Sequence, residues 1–167
     1  MDKVSASVGS LIFFAIAPGS IAGLLPWWIT RWQFRPAFLD IEGTRLLGAL
    51  LIAAGLLPLI DSFARFALQG LGTPAPIAPP QRLVVTGYYR HVRNPMYVGV
   101  VCAILGQALL FADARLVWCA TWVWFAFHLF VVVYEEPTLQ RSFPIDYENF
   151  CANVPRWLPR PTPWESA

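Results

Sequence analysis

Uncharged apolar runs separated by short polar stretches set the layout of this chain. Residues 8–30 hold no charged side chain. At about 1.5 Å per residue, a helix of that length crosses the roughly 30 Å hydrocarbon core of a bilayer. Pro18 and Pro26 fall inside it, which a membrane helix accommodates where neighbours satisfy the carbonyls that proline frees. Trp27, Trp28 and Trp32 then mark an interface. A second run covers residues 45–68, uncharged from Leu46 through Ile60. Asp61 and Arg65, four apart, can pair on one helical face. Asp61 reads either as part of an interfacial ion pair or as a polar group turned toward a substrate cavity.

Residues 72–80 carry four prolines. They cannot be helical, because proline lacks an N–H donor and drives the preceding residue into extended conformations, so they form a semi-rigid connector. Met96 to Ala112 is again uncharged, Asp113-Ala114-Arg115 is a short polar turn, and Leu116 to Tyr134 carries no formal charge. That pattern predicts a tight transmembrane hairpin. The remainder, 135–167, is polar, aromatic and proline-rich, with a helix expected from Thr138 to Cys151 at the membrane surface.

The expected fold is all-α and polytopic. It is a single domain over 1–167 with about four transmembrane helices and a C-terminal helical hairpin. Composition agrees: 57% of residues are apolar and 13% charged, the balance of a chain that lives in lipid. The first run is too long for the apolar region of a signal peptide and reads as a retained span. A net charge of +2 with scattered arginines excludes the basic stripe of a nucleic-acid binder. Cys102, Cys119 and Cys151 form no paired motif and have no histidines at ligand spacing, so neither a disulfide framework nor a metal site is expected. With four spans, Lys3, Arg65, Arg82, Arg90, Arg93, Arg141, Arg156 and Arg160 share one side and only Arg31, Arg35, Arg45 and Arg115 the other. The richer side, with both termini, is expected to face the cytoplasm.

Two polar clusters flank the hairpin, 81–99 before it and 135–160 after it, and the hairpin returns the chain to the same face. The first contains Gly87-Tyr88-Tyr89-Arg90-His91-Val92-Arg93-Asn94-Pro95-Met96-Tyr97-Val98-Gly99. The second contains Glu135-Glu136-Pro137-Thr138-Leu139, then Phe143, then Val154-Pro155-Arg156-Trp157-Leu158-Pro159. The order G-x-Y-x-x-x-R-[HN]-P-x-Y-x-G, hydrophobic hairpin, E-E-x-x-L-x-x-x-F, V-P-R-x-x-P resembles the isoprenylcysteine carboxyl methyltransferase and phospholipid methyltransferase group of integral membrane enzymes. The resemblance covers about half of the chain, from Gln81 to Pro159.

The resemblance implies S-adenosyl-L-methionine as cofactor and a lipophilic acceptor in the membrane, either a prenylcysteine-like carboxylate or a lipid amine. It also implies a bacterial inner membrane location, with the site toward the cytoplasm. By motif position, Glu135 binds the cofactor's amino group or attracts its sulfonium charge. Tyr89 and Tyr97 stack on adenine or face the sulfonium. Gln81, Leu83 and Val84 line the cofactor, and Arg93 binds its carboxylate or holds Asn94. Pro95 starts or interrupts the helix carrying Met96 and Tyr97, leaving backbone groups free at a helix end, and Gly99 allows close approach. If the acceptor is an amine, a carboxylate such as Glu136, or lipid-bound water, is the expected base. A carboxylate acceptor needs none.

Some positions depart from the pattern. Asn94 stands for a histidine of the prenylcysteine enzymes, and Val131 for an arginine one turn before the glutamate pair, which weighs against a prenylcysteine substrate. Pro144 and Phe150 replace a glycine and a tyrosine. His128 and Gln107, inside spans, read as helix-to-helix hydrogen bonders rather than proton carriers. Trp118, Trp122 and Phe125 read as packing or lipid contact. Two other readings remain: a sterol-type membrane reductase using a nicotinamide cofactor, and a non-enzymatic scaffold whose basic clusters bind lipid headgroups.

Overall fold

The computed structural model describes residues 16–38, 41, 43–69 (side chains to 65) and 83–165. The start of the first apolar run (8–15), the connector 72–80 and Gln81 lie outside the described residues. Among those described, the fold is all-helical, with no strand. Its helices are α1 (Leu25–Thr30), α2 (Gly43–Gln69), α3 (Pro95–Phe111), α4 (Arg115–Phe130), α5 (Glu136–Ser142) and α6 (Pro144–Asn153).

Two of these stretches are long and apolar enough to cross a membrane: Gly43–Arg65, with mean hydropathy 2.1, and Arg115–Ser142, with mean hydropathy 2.0. The apolar helix α3 is shorter, 17 residues. It lies antiparallel to α2 along a seam of small residues. A Cβ on Gly55 would stand 2.6 Å from the Gly99 carbonyl oxygen, and one on Gly48 2.6 Å from that of Gly106. Close backbone approach of this kind is how helices gain packing energy in lipid, where no hydrophobic drive separates them from the chains around them. Ile104 and Leu116, both fully buried, continue this core between α2, α3 and α4.

The hairpin turn forms for local reasons. Ala112 takes a left-handed conformation that ends α3. Asp113 Oδ1 then accepts the Arg115 backbone N–H at 3.0 Å, capping the start of α4. Gln107 ties in the first helical segment, donating to the Ala22 carbonyl at 2.6 Å and accepting from Trp32 Nε1 at 3.3 Å. It bridges helices, as expected.

Two π-helical turns, Ser20–Leu24 and Val131–Glu135, each precede a proline by two residues. A proline ring clashes with the carbonyl four residues back. For Pro26 and Pro137 those carbonyls belong to Ala22 and Val133, and the backbone widens there to make room. Prolines thus put the wide turns where the sequence showed only apolar runs. The helix expected from Thr138 to Cys151 is instead two helices. Phe143 leaves the helical region at φ −138°, ψ 64°, because Pro144 disfavours helical geometry in the residue before it and then opens α6 at its first position.

Candidate functional site

The two polar clusters do meet, and backbone hydrogen bonds join them. The Arg93 N–H donates to the Pro155 carbonyl, the Arg160 N–H to that of His91 and the Trp164 N–H to that of Arg90, each at 2.9 Å. Asn94 Nδ2 adds a bond to the Arg156 carbonyl at 3.1 Å. Val84, Tyr89, Tyr147, Phe150 and Val154 form a second apolar core beneath this join, with Leu83 and Met96 packed against it. Trp157 pins the tail to the end of the hairpin, its Nε1 donating to His128 Nδ1 at 3.2 Å. That bond requires His128 to carry its proton on Nε2.

Glu135 and Glu136 are neighbours with opposite surroundings. Glu136 is held by Arg156 through Nε to Oε1 at 2.7 Å and Nη2 to Oε2 at 2.9 Å, and by Arg93 Nη1 at 3.1 Å. This two-pronged geometry matches a planar guanidinium to a carboxylate. Arg93 Nη1 also donates to Cys151 Sγ at 2.7 Å. The Glu136 charge contributes to raising the Tyr147 hydroxyl above the usual phenol range, after burial as the larger cause, and its hydrogen bonds hold the Arg156 guanidinium more firmly protonated. Glu135 instead accepts the Tyr97 hydroxyl at 2.7 Å. Among the described residues no arginine or lysine pairs with it.

Tyr97 packs against Phe127 with ring centroids 4.5 Å apart and the rings tilted by 33°. Phe127 and Glu135 are eight residues apart. In a regular α-helix of about 3.6 residues per turn they would lie roughly 80° apart around the axis. The wide turn at Val131–Glu135 removes most of that angle, so both reach Tyr97 from one side. Tyr89 is buried close enough to feel the Glu135 charge. Burial first, and that charge second, push its hydroxyl well above the ordinary range, while Ser62 is its side-chain hydrogen-bond partner.

Tyr97 also borders an apolar cavity of about 200 Å³ between the first helical segment and α2, α3 and α4. Ile21, Leu59, Phe63, Val100 and Phe130 line it. An apolar chamber with Tyr97 in its wall suits a molecule with an apolar body, and the Tyr97 hydroxyl links that wall to Glu135.

The structure therefore joins Tyr97 to Glu135, with Tyr89 near enough to feel that charge, and joins Arg93 to Glu136 and Asn94 to the tail. Pro95 starts α3, as one of its two expected roles. Leu83 and Val84 pack into the second core, Met96 bridges both cores, and Gly99 faces Gly55 on α2. Sequence reasoning named Arg156 in a motif without giving it a partner, and it did not foresee the cavity wall. The proline beside Arg156 was a signal for a fixed tail. The wall residues gave none, being apolar among apolar.

These features define the class: a helical protein with two helices fit to cross a membrane and a polar site where a helical hairpin meets its tail, next to an apolar cavity. Within that class, the family model for phospholipid methyltransferase matches residues 44–145, well over half of the chain, and the protein belongs to that family. No curated protein and no solved structure matches it significantly.

Proposed function

We propose that this protein transfers a methyl group from S-adenosylmethionine to an amine-bearing lipid in the membrane. Family membership supports methyl transfer to a membrane lipid. The observation that carries the finer reading is Glu135, a carboxylate that accepts the hydroxyl of the cavity-lining Tyr97 and that pairs with no guanidinium among the described residues. A cationic group fits there, as would the cofactor's sulfonium or ammonium together with two tyrosines. When bound, the cofactor supplies a methyl group on a positively charged sulfur.

The remaining work belongs to the chain. Glu135 and Tyr97 offer a fixed negative end and an electron-rich ring, and Tyr89 closes the same corner. Arg93 and Asn94 hold the tail as a cover that excludes water. The cavity aligns the acceptor by its apolar part, and alignment is the main requirement of a displacement at carbon, supplying about 7–11 kcal/mol in favourable cases. A lipid amine is favoured over a carboxylate because the nearest unpaired charge is negative and Val131 is buried where the prenylcysteine enzymes place an arginine. An amine must lose a proton. Glu136 is clamped by Arg156 and Arg93, so the proposed proton acceptor is water at the lipid surface.

Four spans with the site on the cytoplasmic side of a bacterial inner membrane complete the proposal, supported by the arginine bias and by the join between the 90–94 segment and the tail. Calorimetric titration of detergent-purified protein with S-adenosylmethionine and S-adenosylhomocysteine, with a nicotinamide cofactor as control, tests it. Micromolar adenosyl binding is expected, followed by radiolabelled methyl incorporation into an amine-lipid fraction. Binding of the nicotinamide cofactor alone would overturn the reading.

A further inference from the structure

The turn that carries Tyr89 is held by the end of α2, through residues outside the methyltransferase motif. Asp61 Oδ2 accepts Arg65 Nε at 2.7 Å and the Tyr88 backbone N–H at 3.4 Å. The next residue, Ser62, is fully buried. Its hydroxyl donates to the Pro58 carbonyl at 2.6 Å and is the side-chain partner of Tyr89. Gly87 opens the turn Gly87–Arg90 with φ 59°, a left-handed geometry that glycine adopts without strain. Arg65 and Asp61 also occupy the place where a Cβ on residue 87 would stand.

As an ion pair, Asp61 and Arg65 are about one-third exposed and contribute little. Their geometry matters more. The first N–H groups of a short helical turn lack partners within it, and one carboxylate, itself braced by Arg65, satisfies that of Tyr88.

We propose that Asp61 is a positioning residue for the cofactor site: braced by Arg65, it fixes the Gly87–Arg90 turn and thereby holds the Tyr89 ring beside Glu135. It controls affinity for the adenosyl group, not the chemical step. This rests on the methyltransferase reading above. Neither Asp61 nor Arg65 touches the cavity or Glu135 directly.

The test uses the full chain in detergent with S-adenosylmethionine and S-adenosylhomocysteine as probes. Asp61→Ala is expected to weaken both about ten-fold, the loss of one hydrogen bond to a charged group. KM for the cofactor should rise with it, while kcat stays within about two-fold. Asp61→Asn keeps an oxygen that accepts both N–H groups and should recover most of the affinity. Gly87→Ala should resemble Asp61→Ala. Amide exchange of residues 87–91, measured without cofactor, should speed up in Asp61→Ala and Gly87→Ala only.

Unchanged affinity and unchanged exchange in Asp61→Ala would overturn the proposal, as would an Asp61→Asn variant as weak as the alanine. If Asp61→Ala does not fold, Asp61→Asn and Gly87→Ala give the same discrimination. If the wild type binds no adenosyl ligand, the cofactor part falls with the functional reading, and the exchange measurement alone decides whether Asp61 holds the turn.

Discussion

The hairpin turn and the polar site at the other end of the hairpin both place carboxylates against apolar helices, yet they treat the charge differently. At the turn, Asp113 has 1% of its side chain exposed and meets two arginines, Arg115 at 2.7 Å and Arg35 at 3.5 Å. At the site, Glu136 is likewise clamped by two arginines, but Glu135 beside it, among the described residues, meets a tyrosine hydroxyl and no arginine. Burying a carboxylate without a cation is costly, and proteins rarely retain the arrangement without use for it. Paired carboxylates hold the fold. The unpaired one is available to a ligand.

The sharpest way to break this contrast is Glu135→Gln. It should reduce S-adenosylmethionine affinity about a hundred-fold, the upper range for a charged hydrogen bond. The melting temperature should not fall, because an uncompensated charge has been removed. A drop in melting temperature with intact binding would reverse the assignments of the two glutamates. Arg156→Ala should do the opposite. It should destabilise the protein by about 1–2 kcal/mol in a chemical unfolding series, discounted because Arg156 is one-third exposed. Arg156→Lys should recover only part of that, since lysine cannot make the paired contact.

The turn offers a pH test of the same idea. Hydrogen bonding to Arg115 holds the Asp113 carboxyl below the usual carboxylate range. A depressed folded-state pKa means that the stabilisation is complete above the unfolded value, about 3.9, and is lost as pH falls through the lower folded value. Acid unfolding of wild type should therefore show about 1 kcal/mol more loss below pH 4 than Asp113→Asn does, measured by tryptophan fluorescence. The smallest effect belongs to Val133→Ala. This side chain is 72% exposed on the outer face of the wide turn, and the change should stay within about 0.5 kcal/mol and leave binding untouched. A larger effect would mean that the wide turn depends on the side chains within it as well as on Pro137.

Much of this was legible in the chain itself. The two long apolar helices, the hairpin with its Asp113 turn, the start of α3 at Pro95 and the meeting of the two motif clusters all follow from patterns local in sequence: runs without charge, a proline at a helix start, an aspartate two residues before an arginine. The same is true of the Asp61–Arg65 pair, a single helical turn apart. The broken helix at Phe143 was also encoded locally, in Pro144.

What the chain could not reveal was which of two adjacent glutamates would stay unpaired. Glu136 finds Arg156 20 residues on and Arg93 43 residues back, distances over which no spacing rule operates. The direction of Glu135 depends on one extra residue absorbed in a wide turn, and an apolar run reads the same with or without it. Composition and motif order determined a helical membrane protein of the methyltransferase kind, because lipid solubility and local helix geometry are sums over near neighbours. Only the tertiary structure decided which carboxylate is clamped by arginines and which meets a tyrosine, because pairing depends on a few ångströms between residues that the fold alone brings together.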